Sequence, residues 1–388
     1  MPNRLVSVAL SLALAGGAIA ALAADPAPVA VHERPLILPK LPADAGQAAN
    51  LPEDGAVRLP FVTGGAPGVA QRINAAIWRE MLDGAVAPTT AGKTWTPPAD
   101  KLPRGTSSLQ YVATPIPPAS PRLLALAFTG EGCGAYCEDF AETHVFDLRD
   151  GREVVLGDLL NVEGFAAVGR RLDAERRSAY QKQVRQLQAA LKSAHKGKKD
   201  EDEDEDTEER LALNRGCLEQ VASEPSTPWW LVGHRFALDV RGGLEMTKGR
   251  CSNHAGRALD DVGDITLKIS AADLTPWLTP YGLAVLRQQG DAPPPAAFDR
   301  RELHGTLAGM PITMKLESLH AGADTRGSYF YDKYRTPIAL VVRLDSSQVV
   351  ATEQTASQGH FDLTISGGTL AGTWTGKGGD KQLPVILQ

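Results

Sequence analysis

Residues 361–375 read FDLTISGGTLAGTWT. Phe361, Leu363 and Ile365 alternate with Asp362, Thr364 and Ser366, a period of two that marks a strand with one face buried. Gly367-Gly368 then supplies a turn into a second run, Thr369 to Thr375, so the segment predicts a β-hairpin. Working outward, Ile312, Met314 and Leu316 alternate with Thr313, Lys315 and Glu317, and Leu383 to Leu387 forms a closing strand. Residues 299–388 are therefore expected to be a small all-β domain.

Upstream, residues 289–298 carry Gly290-Asp291 and three successive prolines, Pro293 to Pro295, the composition of a linker. Residues 53–288 have a different texture. Val57 to Val62 is strand-like, and Val69, Ile73, Ile77 and Met81 recur every four residues, which is helical spacing. Thr106 to Pro115, Leu123 to Thr129, Thr143 to Leu148 and Glu153 to Leu156 read as strands, the last two as a hairpin around Asp150-Gly151. Tyr180, Val184, Leu187 and Leu191 share one helical face, predicting a helix packed on a sheet. Trp229 to Val240 and Gly263 to Ile269 are strand-like, and a short helix is expected around Pro280 to Leu286. The expected fold is α+β, a mixed or antiparallel sheet with helices on one face, followed by the small β domain.

The insertion at 196–210 holds nine carboxylates between Asp200 and Glu209. Like charges at this density repel and predict a solvated loop, and the run lacks the spaced ligands and Gly of an EF-hand. It also dominates the charge. With residues 1–23 removed, 39 basic groups face 46 acidic ones, and without these nine acids the balance would turn positive. Global acidity thus says nothing about partners, and no basic stripe points to nucleic acid.

At the N-terminus, Arg4, the apolar Leu5 to Leu14 and small residues ending in Ala21-Leu22-Ala23 have the order of a cleavable secretory signal. Residues 1–23 are read as that signal, and 24–52, rich in Pro and Ala, as a poorly ordered linker. The first Cys is Cys133, so no lipidation site follows the signal, and no second apolar run is long enough to span a membrane. The expected address is the periplasm or the exterior, without stable membrane insertion.

Four Cys in an exported chain predict two disulfides. Three pairings are possible. Cys133 and Cys137 lie four apart between glycines, favouring their closure into a short loop, which leaves Cys217 for Cys251. A C-x3-C without a matching pair or nearby His does not have zinc spacing.

No nucleophile elbow, phosphate loop or H-E-x-x-H is present, and the eight His are dispersed, so neither metal nor cofactor is expected. Glu138, Asp139 and Glu142 beside the Cys loop are the residues an acid and base pair would need. Such clusters in surface loops mostly serve solvation, which is the plainer reading. In the run Gly327 to Tyr334, strand geometry puts Tyr329, Tyr331 and Lys333 on one face, where tyrosines offer flat apolar area with a polar tip for carbohydrate or protein contact. Packing across a sheet is the plainer and favoured reading.

Several of these features together carry a resemblance: the strand with Pro60, the helix with Ile73-Asn74-Ala75-Ala76-Ile77, Thr143-His144-Val145-Phe146-Asp147-Leu148, the turn Asp150-Gly151-Arg152 with Leu156 and Asp158-Leu159-Leu160, and Phe236 to Leu244. Residues 57–288 resemble a family of bacterial extracytoplasmic domains of uncharacterised biochemistry. Its relatives form the lysozyme-sensing ectodomain of an anti-sigma factor and the non-catalytic part of a peptidoglycan deacetylase. The resemblance implies a cell-envelope binding module, with peptidoglycan or a lysozyme-like protein as partner, and carries over no catalytic residue. The insertion at 196–210 and the Cys pair at 133 and 137 depart from the family. Gly305-Thr306-Leu307, Pro311-Ile312, Gly327-Ser328-Tyr329, Tyr331, Lys333-Tyr334 and Gly372-Thr373-Trp374 look like a β module appended to many secreted bacterial proteins, which implies a fold alone. The alternative expectation is a hydrolase of envelope glycan or peptide built on the carboxylates near the Cys loop, and a third is a structural or assembly factor.

Overall fold

A computed structural model of the protein describes residues 27–37, 56–81, 112–116, 120–133, 137–194, 201–223, 231, 234–253, 256–294, 298, 302–317, 324–334, 336–356, 358–366 and 368–388. The proposed signal, residues 1–23, lies outside them, as do 106–111 of the expected strand at 106–115.

Strand β1 (Ala30–Ile37) pairs antiparallel along its whole length with β2 (Ala56–Thr63). The stretch at 24–52, expected to be a disordered linker, therefore contributes a strand. Among its described side chains, Arg34 is fully buried with its guanidinium 5.2 Å from the centre of the Phe61 ring, an anchor that a count of apolar residues does not reveal, and Val29 and Val31 join the apolar cluster.

Helix α1 (Val69–Met81) buries Val69, Ile73 and Ile77 against Leu59, Phe61 and Val62 of β2 and against Leu126, Phe128 and Phe146. Asn74 clamps helix to strand, its amide accepting from the Val62 N–H at 2.7 Å and donating to the Val62 carbonyl at 2.8 Å. Both ends of a buried amide are thereby satisfied. The strands supplying Leu126, Phe128 and Phe146 belong to a three-stranded antiparallel sheet, β3 (Val112–Ile116), β4 (Leu123–Cys133) and β5 (Cys137–Asp147).

The expected hairpin at Asp150-Gly151 shrinks to one bridge, Phe146 to Glu153. Pairing stops there because Asp158 accepts the Val155 N–H at 3.1 Å and starts α2 (Leu156–Leu159). Gly151 has φ +77°, and a Cβ there would sit 2.5 Å from the Val69 carbonyl oxygen, so the turn meets the start of α1 only as glycine.

The acidic run departs from the loop expectation. From Glu201 onward it is helical, the opening turns of α4 (Glu201–Ser223) beside α3 (Val162–Ala194). Carboxylates are favourable at a helix N-terminus, and Arg210 draws the run in by bonding Asp206 at 2.8 Å, one turn away, and Asp261 at 2.5 Å. The stripe expected to face a sheet instead meets α4, with Tyr180 packed on Cys217 and Val221. Only the first half of α3, through Val168 and Leu172, enters the main core. That core is shared with β7 (Leu244–Lys248) and β8 (Ile265–Ile269), and with α6 (Pro280–Arg287), which follows the short α5 (Ala271–Leu274).

Among the described residues of the expected strand at 229–240, Ala237–Leu238 pairs, as β6 with β7. The Asp239 side chain ends it by accepting the N–H groups of Arg241 and Gly243 at 2.7 and 2.9 Å. Among the described residues, the strands before the barrel form three separate antiparallel sheets of two, three and three strands rather than one mixed sheet.

Cys217 and Cys251 form a disulfide, with an S–S distance of 2.13 Å, that ties α4 to the loop before β8. It closes 34 residues of chain. Cys217→Ser is expected to lower unfolding free energy by about 3 kcal/mol, mostly through the freed denatured chain. Urea titration of oxidised variant against wild type measures it, and a loss under about 1 kcal/mol would contradict it.

Residues 302–388 form a closed eight-stranded antiparallel barrel: β9 (Glu302–Leu307), β10 (Met310–Leu316), β11 (Asp324–Tyr331), β12 (Ile338–Asp345), β13 (Gln348–Glu353), β14 (His360–Ser366), β15 (Thr369–Thr375) and β16 (Gln382–Leu387). Each strand pairs with the next, and β16 returns to β9. Inward positions are filled by Leu303, Leu307, Ile312, Met314, Leu316, Val342, Phe361, Leu363 and Val385, so the interior is a packed core. Among the described residues, no helix is long and apolar enough to cross a membrane.

Candidate functional site

The sharp turn after β5 is held by a buried carboxylate. Asp147, 1% exposed, takes Arg122 through both oxygens at 2.6–3.0 Å, the Tyr281 hydroxyl at 2.9 Å and the Arg149 N–H at 2.9 Å. Burial alone would raise its pKa, but these donors hold it below the usual carboxylate value. The same burial, with Asp147 beside it, pushes the Tyr281 hydroxyl far up. This fixes Asp150, Gly151, Arg152 and Glu153 in space.

These turn residues line a cavity of about 260 Å³. One wall is α1, through Arg72 and Ala76, and the other is the outer face of the barrel, through Glu302 and His304 of β9, Lys315 of β10, and Gln388. Arg72 donates to the Asp150 carbonyl. His304 Nδ1 lies 3.2 Å from the Thr313 hydroxyl, which donates to Asp332 at 2.8 Å. Period two turns Thr313 and Lys315 away from the barrel core, yet both are buried. The first part of the chain covers this face of the barrel.

Behind the cavity stands a charge cluster. Glu153, with a side chain 6% exposed, lies 2.9 Å from His144 Nδ1 and 3.7 Å from Arg235 Nε. Arg235 also pairs with Glu142, which lies 3.7 Å from His144 Nε2. Burial raises the Glu153 pKa, but His144, Arg235 and the charge of Lys315 more than offset it and hold the group at about 2. Burial likewise disfavours the His144 imidazolium, and Glu153 and Glu142 outweigh that, so its pKa lies above the ordinary value. The carboxylates of Glu153 and Glu142 beside its two ring nitrogens favour the imidazolium form of His144.

The residues singled out from sequence are distributed elsewhere. Glu138, Asp139 and Glu142 belong to strand β5, not to a loop; the side chains of Glu138 and Asp139 lie outside the described residues, and Glu142 is half exposed and bound to Arg235. Strand register sets Cys133 opposite Cys137, whose side chains also lie outside the described residues.

Tyr329 and Tyr331 do share a face, but it is the inner face of the barrel. Tyr329 is 1% exposed, its ring edge-on to Phe361 and its hydroxyl 2.5 Å from Glu353, so it offers no surface for a ligand. Lys333 falls past the end of β11, exposed in a turn with its ammonium 5.3 Å from the Tyr334 ring. Among the described residues, no group of three or more His, Cys, Asp or Glu side chains is placed to hold a metal ion.

The cavity residues Glu153 and Lys315 carried no motif; the one available signal was a lysine inside a strongly alternating strand. No family model matches the chain, and no curated protein matches it.

Proposed function

We propose that this protein is a non-catalytic binding protein of the bacterial cell envelope, exported to the periplasm or the exterior, with peptidoglycan or a lysozyme-like envelope protein as its ligand. The observation that carries this reading is the mixed-charge cavity between the first part of the chain and the barrel, where buried Glu153 and Lys315 come from opposite walls. Buried charges are costly to maintain, and a cavity that keeps both signs suits recognition of polar material. The resemblance of residues 57–288 to envelope-sensing domains supports the same address.

A hydrolase is less well supported. Of the three acids it names, Glu142 is the one whose side chain is described, and it is engaged by Arg235 and His144.

The test is binding of the purified protein to peptidoglycan sacculi by co-sedimentation, and to soluble muropeptides and lysozyme by calorimetry. Saturable binding to at least one is expected. Failure with all three would remove the proposal.

A further inference from the structure

We propose that the α3–α4 hairpin is a self-association surface, on which the basic outer face of α3 in one copy meets the acidic outer face of α4 in a second copy. The inference goes beyond the envelope-binding reading and does not depend on it.

The hairpin stands partly outside the main core. The first half of α3 enters that core through Val168 and Leu172, whereas α4 is held by the small cluster of Tyr180, Cys217 and Val221, by the disulfide to Cys251 and by Arg210 on Asp261.

The sequence sorts charge between the two helices. From Arg176 to Lys199 the chain has no acid, and from Asp200 to Glu209 it has no base. Helical spacing sets Ser178, Lys182, Arg185, Ala189 and Lys192, all exposed, on one face of α3. The same spacing sets Glu205, Glu208, Glu209, Ala212, Gly216 and Glu219, also exposed, on one face of α4. Glu175 and Arg215 stand at the margins of the two faces. Among the described residues, neither the three bases nor these four acids have a side-chain ion pair or hydrogen bond, whereas Asp206, off this face, is taken by Arg210.

The two faces cannot neutralise each other within one chain. Each lies on the side of its helix opposite the residues that pack α3 on α4, Tyr180 on one and Cys217 and Val221 on the other, so the faces point away from each other. A second copy brings both. The faces match in length, since residues 178–192 and 205–219 each rise about 21 Å along their helices. Small residues between the charges, Ser178 and Ala189 against Ala212 and Gly216, let two helices approach closely, and the space beside Gly216 is open.

The formal net charge of -6 makes whole copies repel one another, and lowering the salt strengthens that repulsion. Association that grows as salt falls therefore requires a local match of opposite charge.

Sedimentation velocity over a concentration series at about 20 mM and about 500 mM sodium chloride tests this. Wild type is expected to associate at the lower salt and at least about tenfold more weakly at the higher. Both a reciprocated pair and a longer chain of copies satisfy the proposal. Two charge-reversed variants, Lys182→Glu with Arg185→Glu and Glu205→Lys with Glu209→Lys, are each expected to remain monomeric at low salt with the circular dichroism of wild type. Mixed together they should associate again, because each supplies the face that the other has lost. If lysines in the opening turns of α4 unwind it, Lys182→Gln with Arg185→Gln decides alone, with an expected loss of at least about tenfold in association.

Association that strengthens with salt, undiminished association in the α3 variants, or a mixture of well-folded reversed variants that stays monomeric would each overturn the proposal. A wild type that is monomeric at both salt concentrations overturns it as well, and titration with polylysine and with heparin then shows which face takes a partner of another kind.

Discussion

Replacing Glu353 with Leu is expected to destabilise the barrel by about 5 kcal/mol, the largest effect of any single substitution considered. Glu353 ends β13 with its side chain turned inward and is 4% exposed. One oxygen accepts from the Tyr329 hydroxyl at 2.5 Å and from Trp374 Nε1 at 2.9 Å; the other accepts from the Thr355 hydroxyl and the Gly359 N–H, both at 3.3 Å. The carboxylate thus gathers strands β11 and β15 and the loop between β13 and β14 at one end of the barrel. Burial, then the bond to Glu353, pushes the Tyr329 hydroxyl well above the tyrosine range, so it remains a donor at any ordinary pH.

A Leu at 353 removes the acceptor that these donors share. Each orphaned buried donor costs about 1–3 kcal/mol, and the buried Tyr329 and Gly359 with a smaller share from the half-buried Trp374 account for the expected total. Glu353→Gln retains an acceptor oxygen and should lose about 2 kcal/mol at most. Chemical denaturation of the full chain, with the barrel transition resolved from that of the first part, measures both. A Glu353→Leu barrel within about 1 kcal/mol of wild type would show that the network is not holding this end.

The fold was partly legible because strands with one buried face announce themselves locally. Ile312, Met314 and Leu316, and Phe361, Leu363 and Ile365, all lie inside the barrel as their alternation required. Closure was not legible, because it depends on β16 pairing with β9, about eighty residues away, and no local pattern encodes that partner. The acidic run misled for a related reason. Charge density argues for solvation, and Glu205, Asp206, Glu208 and Glu209 are exposed, but solvation does not exclude helix once Arg210 and the packing of α3 on α4 supply partners. At Tyr329 and Tyr331 alternation gives a shared face without saying whether it is the interior, and of the two readings, ligand contact or packing across a sheet, the barrel core shows the packing.

The cavity was the least legible feature. Its charges come from residues 72, 150–153 and 302–315, and alternation marks Lys315 as outward and hence wet. It is outward and buried, because a second part of the chain lies over it.

That burial makes Glu153→Ala the second large effect, an expected loss of about 4 kcal/mol. The substitution takes the more buried of two carboxylates from His144 and Arg235, leaving both to the half-exposed Glu142, and removes the negative charge that Lys315 feels, and breaking a buried ion pair from one side costs more than the pair contributed.

The pH dependence follows from the two pKa directions. His144 is held above its ordinary 6.5, so its contribution is complete below about pH 6.5 and is lost as pH rises through the higher folded value. Glu153 is held at about 2 against an ordinary 4.5, so its contribution is complete above about 4.5 and is lost only as pH falls toward 2. Wild-type Tm should therefore be highest between about pH 5 and 6.5 and decline toward pH 9, and His144→Gln should flatten the upper decline. Parallel Tm curves for wild type and His144→Gln between pH 6.5 and 9 would contradict the imidazolium assignment. A Glu153→Ala protein within about 1 kcal/mol of wild type would show instead that water reaches His144 and Arg235 when the carboxylate is gone, and that the cluster behind the cavity is not a closed, low-dielectric site.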